Sequence, residues 1–209
     1  MKLSKIAAAA LTSLVMTGAM AAPVVTPVWT DSGINMLGEV NASEYTLDLT
    51  FNLHYTNYWH KIVDFKDRVE DAGVYLQDDT LVFAQPDTSL VYGSGLAGAT
   101  SGTRLTLTRD NTGLFSAYLN GGLQFSFLDT ANAAVFNTNA GQTSAWLLAD
   151  DVNWGGNEQT IGTLTSVKVF DYAMSRSEIA AVPEPETYAL LAAGLLTVGA
   201  LSRRRQNQQ

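Results

Sequence analysis

The sequence predicts an all-β protein, an antiparallel two-sheet sandwich, and three observations carry that reading. Apolar and polar residues alternate with a period of two over several segments, which puts one side of each strand in a core and the other in water. Clusters of Asp, Asn and Gly punctuate those segments at spacings of about ten residues, as turns do between short strands. Within the part so patterned, a single short stretch has the signals of a helix.

The chain opens with a different pattern. Lys2 and Lys5 precede an apolar run from Ile6 to Val15, and Ala19-Met20-Ala21 supplies the small-x-small site, marked by Ala19 and Ala21, that signal peptidase cuts. The run is about ten residues, half of the roughly 20 that a membrane span needs. Residues 1–21 are expected to be a helical secretory signal peptide, removed after Ala21.

Strands follow. "YTLDLTFNLH" sets Tyr45, Leu47, Leu49, Phe51 and Leu53 on one face and Thr46, Asp48, Thr50, Asn52 and His54 on the other. "GVYL" and "LVFA" are joined by Gln77-Asp78-Asp79-Thr80, and "RLTLTR" is closed by Asp110-Asn111-Thr112-Gly113. Asn120-Gly121, between "FSAYL" and "GLQFSF", suits a type I′ hairpin, whose two central residues both need positive φ. "SAWLLA" and "SVKVFD" add later strands, for ten to twelve in all, and Trp146, between Ala145 and Leu147, reads as core. Gly93-Ser94-Gly95 reads as a loop, and His54 and His60 as solvated surface residues. Ser175-Arg176-Ser177-Glu178 fits a capping box, which predicts one short helix before Pro183.

Residues 22–181 are the size of one domain, large enough to be stable without staples. They need to be, because the chain has no cysteine although its leader directs it to an oxidising compartment. Residues 22–183 hold seven basic and 18 acidic side chains. Such a surface repels phosphate, so nucleic acid is excluded as a partner.

The order "HKIVDFKD", "DAGVYLQDDTLVF", "LTLTRDNTGLFSAYLNGGLQFSFLDT", "WLLADD" and "VKVFDYAMSRSEIAAV" resembles the laminin-G-like, or concanavalin A-like, jelly-roll domains over about Tyr45 to Val182. The resemblance implies a glycan- or matrix-binding module, often calcium-dependent, with glycoside hydrolases among the relatives. The hydrolases' strand-borne Glu-x-Asp-x-x-Glu or Glu-x-Asp-x-Glu pattern does not occur, and the adjacent pairs Glu70-Asp71, Asp78-Asp79 and Asp150-Asp151 would point to opposite faces of a strand, which leaves a dyad assembled from distant strands as the one route to hydrolysis. With two histidines and no thiol, neither a histidine metal centre nor a cysteine nucleophile is available.

Two kinds of site residue remain. "ADDVNWGGNE" gathers oxygen donors, and Asp150, Asp151, Asn153 and Glu158 are the expected ligands of a calcium ion. Trp154 and Asn157 in that loop, with Tyr58 and Trp59 after the first long strand, are the expected glycan contacts, because sugar rings stack on flat aromatic faces beside amides.

The chain closes on "VPEPETYALLAAGLLTVGALSRRR" and a polar tail, 206–209. The uncharged stretch 188–201 makes a helix of about 21 Å, short of the roughly 30 Å hydrocarbon core, and Arg203, Arg204 and Arg205 would stay on the cytoplasmic side. Pro183-Glu184-Pro185 keeps the preceding strip extended. This arrangement over 182–205 resembles the PEP-CTERM sorting signal of Gram-negative bacteria, which implies transient anchoring in the inner membrane and processing by exosortase in cells that make extracellular polysaccharide.

The expected function is therefore an exported cell-surface or matrix protein, not an enzyme, that binds extracellular polysaccharide, with calcium as the candidate cofactor. A structural or adhesive matrix component without a discrete ligand site and a weak glycoside hydrolase are the alternatives.

Overall fold

The protein is described by a computed structural model covering residues 33–38, 40–54, 58–95, 101–139, 142–152 and 158–181. The expected signal peptide and the sorting segment lie outside these residues.

Two antiparallel sheets face each other. β2 (Tyr45–Leu53), β7 (Thr103–Arg109), β8 (Leu114–Leu119), β9 (Gly122–Leu128) and β12 (Gly162–Phe170) form a five-stranded sheet in the order β12-β2-β7-β8-β9. The second sheet runs β1-β11-β3-β4-β5-β6, where β1 is Gly33–Gly38, β3 Trp59–Asp64, β4 Gly73–Gln77, β5 Thr80–Ala84, β6 Leu90–Gly95 and β11 Gln142–Leu147; β10 (Asn137–Asn139) pairs with β11 as its seventh strand. The sandwich expected from the alternation is the observed architecture.

The period-two faces point where the pattern puts them. Leu47, Leu49 and Phe51 of β2, Leu105 and Leu107 of β7, and Phe115 and Ala117 of β8 meet Val74 and Leu76 of β4 and Leu81 and Phe83 of β5 in one core. Aromatic rings fill its width: Phe83 lies 5.0 Å from both Phe115 and Phe127, and Phe65 lies 5.1 Å from Phe136. Tyr45 sits wholly inside, and its hydroxyl donates to the Ala134 carbonyl at 2.7 Å, which satisfies its one polar atom.

The turns match their chemistry. Asn120 and Gly121 have φ of 47° and 78°, and Asp78 and Asp79 have 46° and 65°, the left-handed pair that a type I′ hairpin demands. Asp110 accepts the amides of Thr112 and Leu114, both at 2.9 Å, and so closes the β7–β8 turn. Gly73 at φ +138° passes so close to the Val63 carbonyl that a Cβ there would collide with backbone.

The capping box also forms. α1 (Arg176–Ala181) starts where the Ser175 amide donates to Glu178 Oε2 at 2.8 Å and the Glu178 amide donates to Ser175 Oγ at 3.3 Å. The helix lies across the outer face of the five-stranded sheet, packing Ile179 with Met174 on Tyr118 and Phe170.

Three expectations change. Gly93-Ser94-Gly95 belongs to strand β6, because β5 offers an edge on which Tyr92 pairs with Val82 and Gly95 with Thr80. Trp146 is turned out of the core, since its neighbours Ala145 and Leu147 take the inward positions; its ring lies 4.9 Å beneath the Arg68 guanidinium. His54 is exposed, but both ring nitrogens of His60 are buried without a hydrogen-bond partner.

Candidate functional site

The outward side of the seven-stranded sheet carries a row of side chains in register: Lys61 on β3 pairs with Tyr75 on β4, Tyr75 with Val82 on β5, and Val82 with Tyr92 on β6. Two stretches lie over one end of this row, 65–72 between β3 and β4, and the described residues 148–152 and 158–161 ahead of β12.

A buried cation organises both loops. Lys61 is fully buried; its ammonium is 2.8 Å from Asp64 Oδ2 and 3.9 Å from Asp151 Oδ2, and it donates to the Glu70 carbonyl at 3.4 Å. The other carboxylate oxygen of Asp64 accepts the amides of Lys66 and Arg68, both at 2.9 Å, and so folds the turn in which Asp67 and Arg68 have positive φ. Arg68 donates from Nε to the Asp150 carbonyl, and Val152 returns its amide to the Arg68 carbonyl at 2.9 Å. The loops are thereby braced against each other.

Asp150 ties its own loop. Its Oδ1 accepts the Asp151 amide at 2.8 Å and its Oδ2 the Glu158 amide at 3.0 Å. Glu158 is further fixed where its carbonyl accepts the Lys61 amide at 2.8 Å. One residue on, Gln159 bridges Lys61 in parallel, and Thr160 Oγ1 donates to the Lys61 carbonyl at 2.6 Å.

These supports bring together three carboxylates, Asp71, Asp151 and Glu158, with one oxygen of each within 4.8 Å of the others. Asp151 and Glu158 belong to the expected calcium set, and Asp71 joins them from the other loop. Asp150 stands behind the group as a loop tie. Asn153, Trp154 and Asn157 lie outside the described residues.

The electrostatics follow from the crowding. Partial burial, then repulsion from Asp71, Asp150 and Asp151, pushes the Glu158 carboxyl up to about 7, against the opposing pull of Lys61. The Tyr75 hydroxyl donates to Asp71 Oδ1 at 2.8 Å, and burial followed by that carboxylate raises its pKa far beyond the usual phenol range. Three carboxylates face one buried ammonium already 2.8 Å from Asp64, so a hard divalent cation fits the donor set.

An open cavity of about 140 Å³ adjoins the cluster, lined by Trp59, Asp71, Gln85, Thr88, Leu90 and Glu158 among others. A second hollow of about 280 Å³ shares Asp71 and Thr88 with it, so a groove continues along Val69 to Asp71 and Pro86. Trp59, which opens β3, is half-buried and meets Tyr75 edge-on at 5.5 Å. Tyr58 is 75% exposed at φ 63°, its amide donating to Asp78 Oδ1 at 2.9 Å, and is not a lining residue of either hollow.

Comparison with known proteins adds to this geometry. Residues 181–205 match the PEP-CTERM protein-sorting motif. The chain carries a PEP-CTERM sorting signal. No curated protein sequence matches the chain. Among solved structures, a putative carbohydrate-binding protein from Bacteroides ovatus ATCC 8483 is 16% identical, with a TM-score of 0.54 over 74% of this chain and 45% of that one. A mutant NanB sialidase from Streptococcus pneumoniae is 14% identical, with a TM-score of 0.53 over 77% of this chain and 28% of that one. The binding domain of botulinum neurotoxin DC, solved with rat synaptotagmin II, is 12% identical, with a TM-score of 0.51 over 74% and 40%. The PEP-CTERM chain thus spans less than half the length of each of these proteins, and shares with them a β-sandwich fold.

Sequence reasoning missed Asp71, Gln85 and Thr88. Asp71 is 87 positions from Glu158, and no local spacing joins them. The one available sign was Gly73, whose conformation lets the chain turn into β4 beside the cluster.

Proposed function

We propose that this is an exported cell-surface or matrix protein that binds extracellular polysaccharide in the groove on the seven-stranded sheet. Signal peptidase removes residues 1–21, and the C-terminal segment holds the chain at the inner membrane until exosortase processes it. The observation that carries the binding reading is the convergence on one cavity of an aromatic face, Trp59, with the carboxylates Asp71 and Glu158 and the polar side chains of Gln85 and Thr88. Sugars need this pairing of a flat apolar surface with fixed acceptors. At about 140 Å³ the cavity is smaller than the roughly 300 Å³ of enclosed small-molecule sites, and its open groove suits one unit of a longer polymer.

Calcium belongs to the same reading. Asp71, Asp151 and Glu158 would hold it, offsetting the repulsion between them and fixing the loops that form the cavity wall. The mature domain is tested by calorimetric titration with extracellular polysaccharide, with calcium and with chelator. Trp59→Ala is expected to weaken binding roughly tenfold or more, the scale of one lost aromatic contact of about 1.5 kcal/mol. Calcium is expected to raise the melting temperature of the native chain and not of Asp71→Asn, because a ligand of the folded state alone stabilises it. Unchanged polysaccharide affinity in Trp59→Ala would overturn the groove, and an unchanged melt at millimolar calcium would overturn the metal.

A second reading, glycoside hydrolysis, is favoured by one observation: Asp71 and Glu158 approach within 4.8 Å, and the Glu158 carboxyl titrates near 7 while Tyr75 hydrogen-bonds Asp71. A raised acid beside an ionised carboxylate is what bond cleavage requires. Release of reducing sugar that stops in Glu158→Gln would replace binding with hydrolysis.

A further inference from the structure

The groove is lined with carboxylates and, among the described residues, with no base. The described residues of 58–95, 142–152 and 158–160 contain ten acidic side chains and three basic ones, Lys61, Lys66 and Arg68. All three bases are engaged elsewhere. Lys61 is fully buried against Asp64 at 2.8 Å, Lys66 donates to the Val135 carbonyl at 3.1 Å, and Arg68 donates to the Asp150 carbonyl with its guanidinium over Trp146. Glu158 lines the first hollow, Glu70 the second, and Asp71 both.

The two hollows offer different surroundings. The first sets the half-buried ring of Trp59 beside Gln85 and Thr88. The second, of about 280 Å³ and continuous with it through Asp71 and Thr88, sets the apolar Val69 and Pro86 beside the exposed Glu70. Adjoining hollows of this kind suit successive units of one polymer. Glu70 stands outside the cluster of Asp71, Asp151 and Glu158, and it is its backbone carbonyl that meets the Lys61 ammonium, at 3.4 Å. Its carboxylate is therefore placed for something that enters from solvent.

We infer that the groove selects a polysaccharide whose sugars carry free ammonium groups, with Trp59 against one ring and Glu70 and Asp71 receiving the ammonium of the next unit. This rests on the proposed polysaccharide groove and names the class of sugar it takes. An ammonium brings three donors and a positive charge to two exposed acceptors. The carboxylate or sulfate of an acidic polysaccharide would meet only like charge, and a neutral sugar would bring Glu70 no counter-charge. Both carboxylates are wet, so each contact is individually modest and its effect is discrimination between sugars more than raw affinity.

Calorimetric titration of the full-length chain tests this, at fixed calcium and in mildly acid buffer, where the sugar amine is protonated. The probes are glucosamine oligosaccharides, their N-acetylated counterparts of equal length, and polygalacturonate. The free-amine oligomer is expected to bind about tenfold more tightly than the acetylated one, with polygalacturonate weakest, and added salt should close most of the gap. Glu70→Gln keeps the backbone carbonyl that meets Lys61; it should weaken the amine oligomer roughly threefold and leave the acetylated one unchanged. Trp59→Ala should weaken both. Equal affinity for the two oligomers, or no loss in Glu70→Gln, overturns the ammonium subsite, and the groove itself stands if both oligomers still depend on Trp59. Absence of binding by every sugar overturns groove and subsite together. An oligolysine of matching charge that binds as tightly as the amine oligomer and ignores Trp59→Ala would replace the sugar with a basic peptide and overturn the inference.

Discussion

The two outer faces of the sandwich treat buried charge in opposite ways. On the five-stranded sheet Asp48 meets its partners at close range: Arg104 Nε donates to its Oδ1 at 2.8 Å and Thr106 Oγ1 at 2.9 Å, and Arg104 Nη1 reaches α1 at the Ile179 carbonyl. On the seven-stranded sheet Lys61 faces Asp64 and Asp151 with Asp71 and Glu158 nearby, and an open cavity adjoins them. Matched charge under a helix holds a structure together. Carboxylates crowded beside a cavity repel one another, and a cation or ligand can relieve that repulsion. The faces therefore differ in what an added ligand should do, more than in polarity.

The largest expected effect breaks the matched face. Asp48→Ala leaves the Arg104 guanidinium buried without its carboxylate and should cost about 3–5 kcal/mol in urea unfolding, with calcium giving no rescue. Lys61→Met removes the only cation of the other face's cluster among the described residues, and should cost a similar amount in chelator, about 3–5 kcal/mol. Here calcium should restore part of the loss. Equal calcium responses in the two variants would erase the distinction between the faces.

Acidity sharpens the comparison at a smaller scale. The Glu158 carboxyl is raised from 4.5 to about 7, so in that interval the folded chain holds a proton that the unfolded chain has released. Stability from this group is therefore full in acid and is lost as the pH rises from about 4.5 through about 7. Calcium needs the ionised form, so the melting-temperature rise it causes should grow over the same window. Glu158→Gln should flatten both trends, and melts from pH 4 to 8 would show it. The smallest effect is at the helix that seals the matched face: Ser175→Ala removes the cap and should cost about 1 kcal/mol. Thermal unfolding would register it without any change in polysaccharide binding.

Much of the fold was legible beforehand. Alternation from Tyr45 to Leu53 identified the inward residues of β2, the Asn120-Gly121 pair fixed a hairpin, and Ser175 with Glu178 marked the helix start. Trp146 was misplaced because two small or aliphatic neighbours look the same whether the tryptophan between them points in or out. Two of the three carboxylates of the acidic site were legible as well: Asp151 and Glu158 lie seven positions apart in the sequence, whereas Asp71 arrives from another loop.

The sequence by itself determined the local matters: which residues take extended backbone, which face of each strand is apolar, where the chain reverses, and that a sorting motif occupies its end. Each depends on neighbours a few positions apart, whose sterics and spacing act before any long-range contact exists. The tertiary structure alone decided that β3, β4, β5 and β6 lie side by side, that Lys61 is buried beneath two loops, and that Asp71 stands beside Glu158. Those juxtapositions join residues far apart along the chain, and the packing of one sheet on the other selects them, a choice no short stretch of residues encodes.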